Sequence, residues 1–148
     1  MIFKKTIHTL LILIILTLSN EAISSHIDIG YKDGFALETT FSINDYAYLH
    51  TERYGEMYSY GAGVGYKNNY LTATLIVNRV IANNDVNNGT AVKLLYNDRV
   101  FSYFGSVGYT GKLGMGWKVG FGYNLSEKLS LVTSYSNTGL FFGVRRWL

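Results

Sequence analysis

The chain has 148 residues, 48% of them hydrophobic and 16% charged, with 16 glycines and 13 tyrosines but no proline and no cysteine. That length holds one domain, and the missing cysteine excludes a disulfide scaffold, a thiolate metal centre and a cysteine nucleophile. The aromatic-rich composition argues against disorder, and a scattered net charge of +3 gives no nucleic-acid footprint.

Residues 1–24 read as a secretory signal rather than as part of the fold. Lys4 and Lys5 form a basic start, Leu10 to Leu16 an apolar run, and Ala22-Ile23-Ser24 a small-residue site with the cut after Ser24. A transmembrane helix would need about 20 apolar residues, and this run is shorter. Removing the signal takes away two lysines and one glutamate and lowers the net charge by one unit. The domain proper is then 25–148.

Past residue 24 the period is two. Phe35, Leu37, Thr39, Phe41 and Ile43 alternate with Ala36, Glu38, Thr40 and Ser42. From Tyr58 the large residues Tyr58, Tyr60, Val64 and Tyr66 alternate with Ser59, Gly61, Gly63 and Gly65, and Trp117, Val119, Phe121, Tyr123 and Leu125 alternate with Lys118, Gly120, Gly122 and Asn124. Such alternation predicts strands, and no amphipathic helix is apparent. Nine groups of turn residues, among them Asp33-Gly34, Asn44-Asp45, Asn68-Asn69, a loop from Asn83 to Gly89, and Asn137 to Gly139, separate ten segments: 26–32, 35–43, 46–53, 57–66, 70–80, 90–96, 99–109, 115–125, 128–136 and 140–148. No crossover is long enough for a helix, so neighbouring segments pair in an up-and-down antiparallel meander, with ten strands predicted and eight as the alternative because the first segments are short.

The two faces identify the solvent. The face opposite the bulky one is Gly, Ser, Thr and Asn with few charges, which makes a poor water-facing coat but fills a narrow lumen. An apolar exterior, a small polar interior and aromatic residues near segment ends (Tyr31, Tyr46, Tyr66, Tyr70, Tyr96, Tyr109, Trp117, Tyr123, Trp147) predict an all-β transmembrane barrel with aromatic girdles. The same parity puts Asp28, Glu38, Lys93, Lys118 and Arg145 inside, with His26 and Lys32 near strand ends. Ions in a low-dielectric lumen must pair, so these five predict a salt-bridge network that plugs the barrel. A narrow charged conduit is the functional alternative.

The stretch GWKVGFGYNLSEKLSLVTSYS from Gly116 and the terminal LFFGVRRWL resemble strands of the small outer-membrane barrels of the OmpA/OmpX type. The resemblance implies a C-terminal assembly signal read by the barrel-assembly machinery, with Leu140, Phe142, Val144 and Leu148 on its alternate positions. The chain ends on Leu148 with Trp147 one place early, and Arg146 stands on the same register as the signal residues. It further implies an exported monomer in the bacterial outer membrane whose partners are membrane lipid, lipopolysaccharide and that machinery.

Ser134 to Gly139 also resembles a segment of the lipid A deacylases, in which a histidine and a serine two positions apart form the catalytic pair. Ser136 matches the serine, but Ser134 stands in place of the histidine, leaving the hydroxyl without a local base. His26 and His50 are remote in sequence with no identifiable acid partner, and three histidines without cysteine show no zinc spacing. Gly61 to Gly65 lacks the helix that a dinucleotide fingerprint requires. No catalytic, cofactor or metal site is therefore expected, and the predicted role is structural or surface-interacting. A lipid A-modifying enzyme, a narrow channel, and a soluble periplasmic barrel with an apolar ligand are the rival readings.

Overall fold

A computed structural model describes residues 25–44, 46–67 and 70–148. The predicted signal, Asp45 and the Asn68-Asn69 turn lie outside the described residues. The rest is ten strands: β1 (His26–Tyr31), β2 (Phe35–Ser42), β3 (Ala47–Tyr54), β4 (Met57–Lys67), β5 (Leu71–Ala82), β6 (Asp85–Asn97), β7 (Phe101–Thr110), β8 (Gly114–Ser126), β9 (Leu129–Ser136) and β10 (Gly139–Trp147). Each strand pairs antiparallel with its neighbours in the chain, and β1 pairs with β10 to close the barrel. Although β1 has only six residues, each of them is in register with β10, from His26 opposite Trp147 to Tyr31 opposite Phe142. Closure satisfies the ladder groups that an open edge would expose.

The predicted parity is present. On β8, Trp117, Val119, Phe121, Tyr123 and Leu125 point outward while Lys118 and Gly122 are buried; on β9, Leu129, Leu131 and Tyr135 point outward while Ser130, Val132, Ser134 and Ser136 are buried. Outside, aromatic rings gather towards both ends. At the end that carries the chain termini, Tyr70, Tyr96, Tyr103, Phe101, Phe121 and Tyr123 form a run of ring contacts with centroids 5.3–6.4 Å apart. Near the opposite end, Trp117 packs edge-on against Tyr135 at 5.6 Å.

Two expectations change. The loop predicted from Asn83 to Gly89 is a two-residue hairpin turn at Asn83 and Asn84, with φ of 50° and 66°. Strand β6 starts at Asp85, directly opposite Ala82. The asparagine-rich run has loop composition throughout, but only its first two residues need the left-handed region that asparagine tolerates. Residues 111–113, within the turn predicted between segments 99–109 and 115–125, form a single 3₁₀ turn between β7 and β8.

The second change concerns Trp147, expected among the boundary aromatics. It points inward with Arg145 and is 7% exposed. Parity along β10 decides this: Leu140, Phe142, Val144 and Arg146 are the outward set, so Phe141, Arg145 and Trp147 must be the inward one. The interior thus holds large side chains as well as small ones. Phe141 lies over the facing pair Gly30 and Gly143, and Phe104 lies over Gly120. A Cβ added at Gly120 would sit 2.1 Å from the Phe104 ring, and one at Gly30 would sit 2.0 Å from the Phe142 carbonyl oxygen. These glycines are seats for rings, which is why the inward face is so poor in side chains where it meets them.

Candidate functional site

The charged lumen begins with a row of acids. Register aligns Asp28 of β1 with Glu38 of β2, and Glu38 with Glu52 of β3. Like charges directly opposite one another destabilise a sheet, so the row requires cations. They come from other walls. Lys93 of β6 and Lys118 of β8 flank Ser106 of β7 in register, and Arg145 of β10 stands opposite Asp28 across the closing seam.

The pairing is specific. Arg145 donates Nε to Asp28 Oδ1 and Nη2 to Asp28 Oδ2, both at 2.7 Å. This bidentate pair is buried, Arg145 at 1% and Asp28 at 2% exposure, with the guanidinium carbon 4.4 Å from the Phe104 centroid and 5.2 Å from that of Trp147. Trp147 Nε1 donates to Ser130 Oγ at 2.8 Å, which donates to Asn124 Oδ1 at 2.6 Å, extending the polar chain to the end with the termini.

Across the middle of the lumen, Glu38 accepts from Lys93 Nζ through Oε1 and from Lys118 Nζ through Oε2, each at 2.5 Å. The Tyr54 hydroxyl donates to the same Oε2 at 3.1 Å. Lys118 also donates to Glu52 Oε1 at 3.0 Å and to the Tyr54 hydroxyl at 2.9 Å. His50 completes the layer, with Nε2 3.2 Å from Glu52 Oε1 and Nδ1 3.2 Å from Thr40 Oγ1. These contacts join strands on opposite sides of the barrel.

All five residues predicted as the interior network are therefore ion-paired, in two groups: Asp28 with Arg145, and Glu38 with Lys93 and Lys118. Sequence reasoning missed Glu52, Tyr54 and His50. The expectation that His50 lacks an acid partner is corrected, because Glu52 lies two residues on along the same face. That spacing was the available signal, but both faces of β3 are mixed, so alternation alone does not pick the inward one.

The absence of a metal-ligand pattern also needs qualification. Ligand atoms of Glu38, His50 and Glu52 come within 4.8 Å of one another. Both oxygens of Glu38 and one of Glu52 are held by Lys93 and Lys118, so a cation would have to displace two ammoniums.

Two spaces adjoin this layer. A cavity of about 180 Å³ opens towards the end opposite the termini, lined by Lys32, His50, Glu52, Tyr54, Lys118 and Ser136 among others. A pocket of about 30 Å³, with Arg145, Thr74 and Phe104 on its wall, lies towards the termini. Lys93, Lys118 and Ser106 border both, so the ion layer stands between them.

Ser136 has a basic residue beside it after all. Lys32 Nζ donates to Ser136 Oγ at 2.8 Å and to Thr138 Oγ1 at 2.6 Å, while Ser136 Oγ donates to the Gly139 carbonyl at 3.2 Å. In this arrangement the lysine is a hydrogen-bond donor to the hydroxyl. Of the residues predicted as the C-terminal signal, Leu140, Phe142 and Val144 line the outer face of β10, and Leu148 follows its end.

No protein family matches the chain, and neither a curated protein nor a solved structure matches it.

Proposed function

We propose that this chain is an integral outer-membrane barrel of the OmpA/OmpX type, exported by a cleaved signal, monomeric, and structural rather than enzymatic in role. The observation that carries the reading is the inverted partition of side chains. Ile29, Val64, Leu75, Val77, Val119 and Leu131 are each at least half exposed, while Asp28, Glu38, Lys118 and Arg145 are buried. Water does not favour an apolar coat of this extent, whereas hydrocarbon does. Aromatic rings gathered at both ends support it further, since amphipathic rings suit the headgroup boundary. Arg146, outward beside the terminal end, reaches headgroups at little cost.

In this role the ion layer is a brace and a plug. It ties opposite walls together and obstructs the lumen, in keeping with barrels of this size being filled by their own side chains. The outward residues Leu140, Phe142 and Val144 form the apolar edge offered to the barrel-assembly machinery, and lipid and lipopolysaccharide cover the belt afterwards.

Fractionation of expressing cells tests the proposal against a soluble periplasmic barrel. The protein should remain in the outer-membrane pellet through alkaline extraction and leave it only with detergent. Release into the soluble periplasm without detergent refutes the membrane reading.

A further inference from the structure

We propose that the 180 Å³ cavity is a binding site for a small oxyanion, the phosphate or carboxylate of a soluble solute, with Lys32 as its anchor. This goes beyond the structural role and does not depend on what surrounds the outer wall, because every group concerned faces the lumen.

Lys32 is 5% exposed, at the start of the β1–β2 turn. Its ammonium donates to the hydroxyls of Ser136 and Thr138 and lies 4.4 Å from the Tyr54 ring centroid, leaving one of its three donor hydrogens over. No carboxylate pairs with it among the described residues, and the neighbouring Asp33 is exposed. A buried cation whose direct contacts are hydroxyls and a ring, with no carboxylate within ion-pair distance, is costly.

The charge balance points the same way. Lys32, Lys93 and Lys118 face two carboxylates, Glu38 and Glu52, so the lysines outnumber the carboxylates around the cavity by one. An oxyanion beside Lys32 offsets that excess, accepts the remaining donor, and gains charge-assisted hydrogen bonds in a confined site. Thr138, an exposed residue, stands at the mouth, and Ser136 stands on the wall.

Size sets the ligand class. A cavity of about 180 Å³ is on the scale of one phosphate or a short carboxylate rather than of a polymer segment. The Glu38–Lys93–Lys118 layer forms the floor, so the ligand enters and leaves by one mouth. The site would therefore hold its anion rather than conduct it. A lipid headgroup would have to cross the rim to reach it, which favours a soluble source.

The test is calorimetric titration of the purified protein in detergent micelles with inorganic phosphate at low ionic strength, alongside Lys32→Met and, as control, Lys112→Met on the exposed 3₁₀ turn. Saturable one-site binding is expected, weakened roughly tenfold or more in Lys32→Met and unchanged in Lys112→Met. Short-chain phosphatidylglycerol should bind less tightly than phosphate; tighter binding overturns the soluble source. Failure to saturate, or equal affinity in Lys32→Met, overturns the site itself. Should that variant not fold, the unmodified protein still decides: phosphate should slow acetylation of Lys32 by acetic anhydride, read by peptide mass spectrometry, and an unchanged rate refutes the proposal.

Discussion

Replacing Glu38 by glutamine removes the charge that holds the middle of the lumen while keeping nearly the same volume. Lys118 keeps Glu52 at 3.0 Å, but Lys93 loses its only carboxylate partner among the described residues and is left with the His50 ring at 3.3 Å. Breaking a buried pair from one side costs about 3–5 kcal/mol, because the remaining charge stays out of water. The Lys93 side chain is 18% exposed, which places the loss near the lower end, about 3 kcal/mol. That is on the order of a hundredfold in the folding equilibrium. The assay is urea unfolding in detergent micelles, read in parallel by tryptophan fluorescence and by heat-modifiable gel mobility. Adding Lys93→Met to Glu38→Gln should recover most of the loss, since it removes the stranded ammonium and keeps the stem. A midpoint for Glu38→Gln equal to that of the unmodified protein, or a double variant no better than the single one, refutes the view that this layer braces the barrel.

Three further outcomes are expected. Trp147→Ala should cost about 3 kcal/mol or more through the lost ring and its bond to Ser130, while Arg146→Ala one residue earlier should change stability little; similar urea midpoints for the two would contradict the inward placement of the ring. Planar-bilayer recordings should show a closed barrel for the unmodified protein and discrete conductance steps once Glu38, Lys93 and Lys118 are all alanine; steady conductance beforehand would mean that the layer does not obstruct the lumen. In the turn after β6, the Asp98 carboxylate accepts from the backbone N–H groups of Val100 and Phe101 at 2.7 Å, which holds its pKa below the ordinary 3.8. Because the folded-state pKa is the lower one, the stabilisation is present above 3.8 and is lost as pH falls through the folded value. Asp98→Ala should therefore lower stability at neutral pH and converge with the unmodified protein in strong acid, as urea midpoints across a pH series would reveal.

Sequence alone carried the fold a long way, for a reason that is physical. A strand buried on one side and apolar on the other writes its parity directly into residue type, so the outward set on β8 and the inward ions Asp28, Glu38, Lys93, Lys118 and Arg145 were readable one strand at a time. Ten segments with no crossover also left the meander as the natural topology. Parity failed as a guide where composition was ambiguous. Strand β3 mixes Tyr48, His50, Glu52 and Tyr54 inside with Leu49, Thr51 and Arg53 on the other face, so nothing local marks Glu52 as the third acid in the row. At Trp147, a general preference of aromatics for the boundary competed with the count along β10, and the count prevailed. What only the tertiary structure decided is which ion meets which. Glu38 meets partners 55 and 80 positions away, and Asp28 meets Arg145 at a separation of 117, because closure brings β1 to β10 and the lumen is narrow enough for lysines to span it. The same closure sets Lys32 beside Ser136, 104 positions apart, and leaves that ammonium without a carboxylate at the mouth of a cavity.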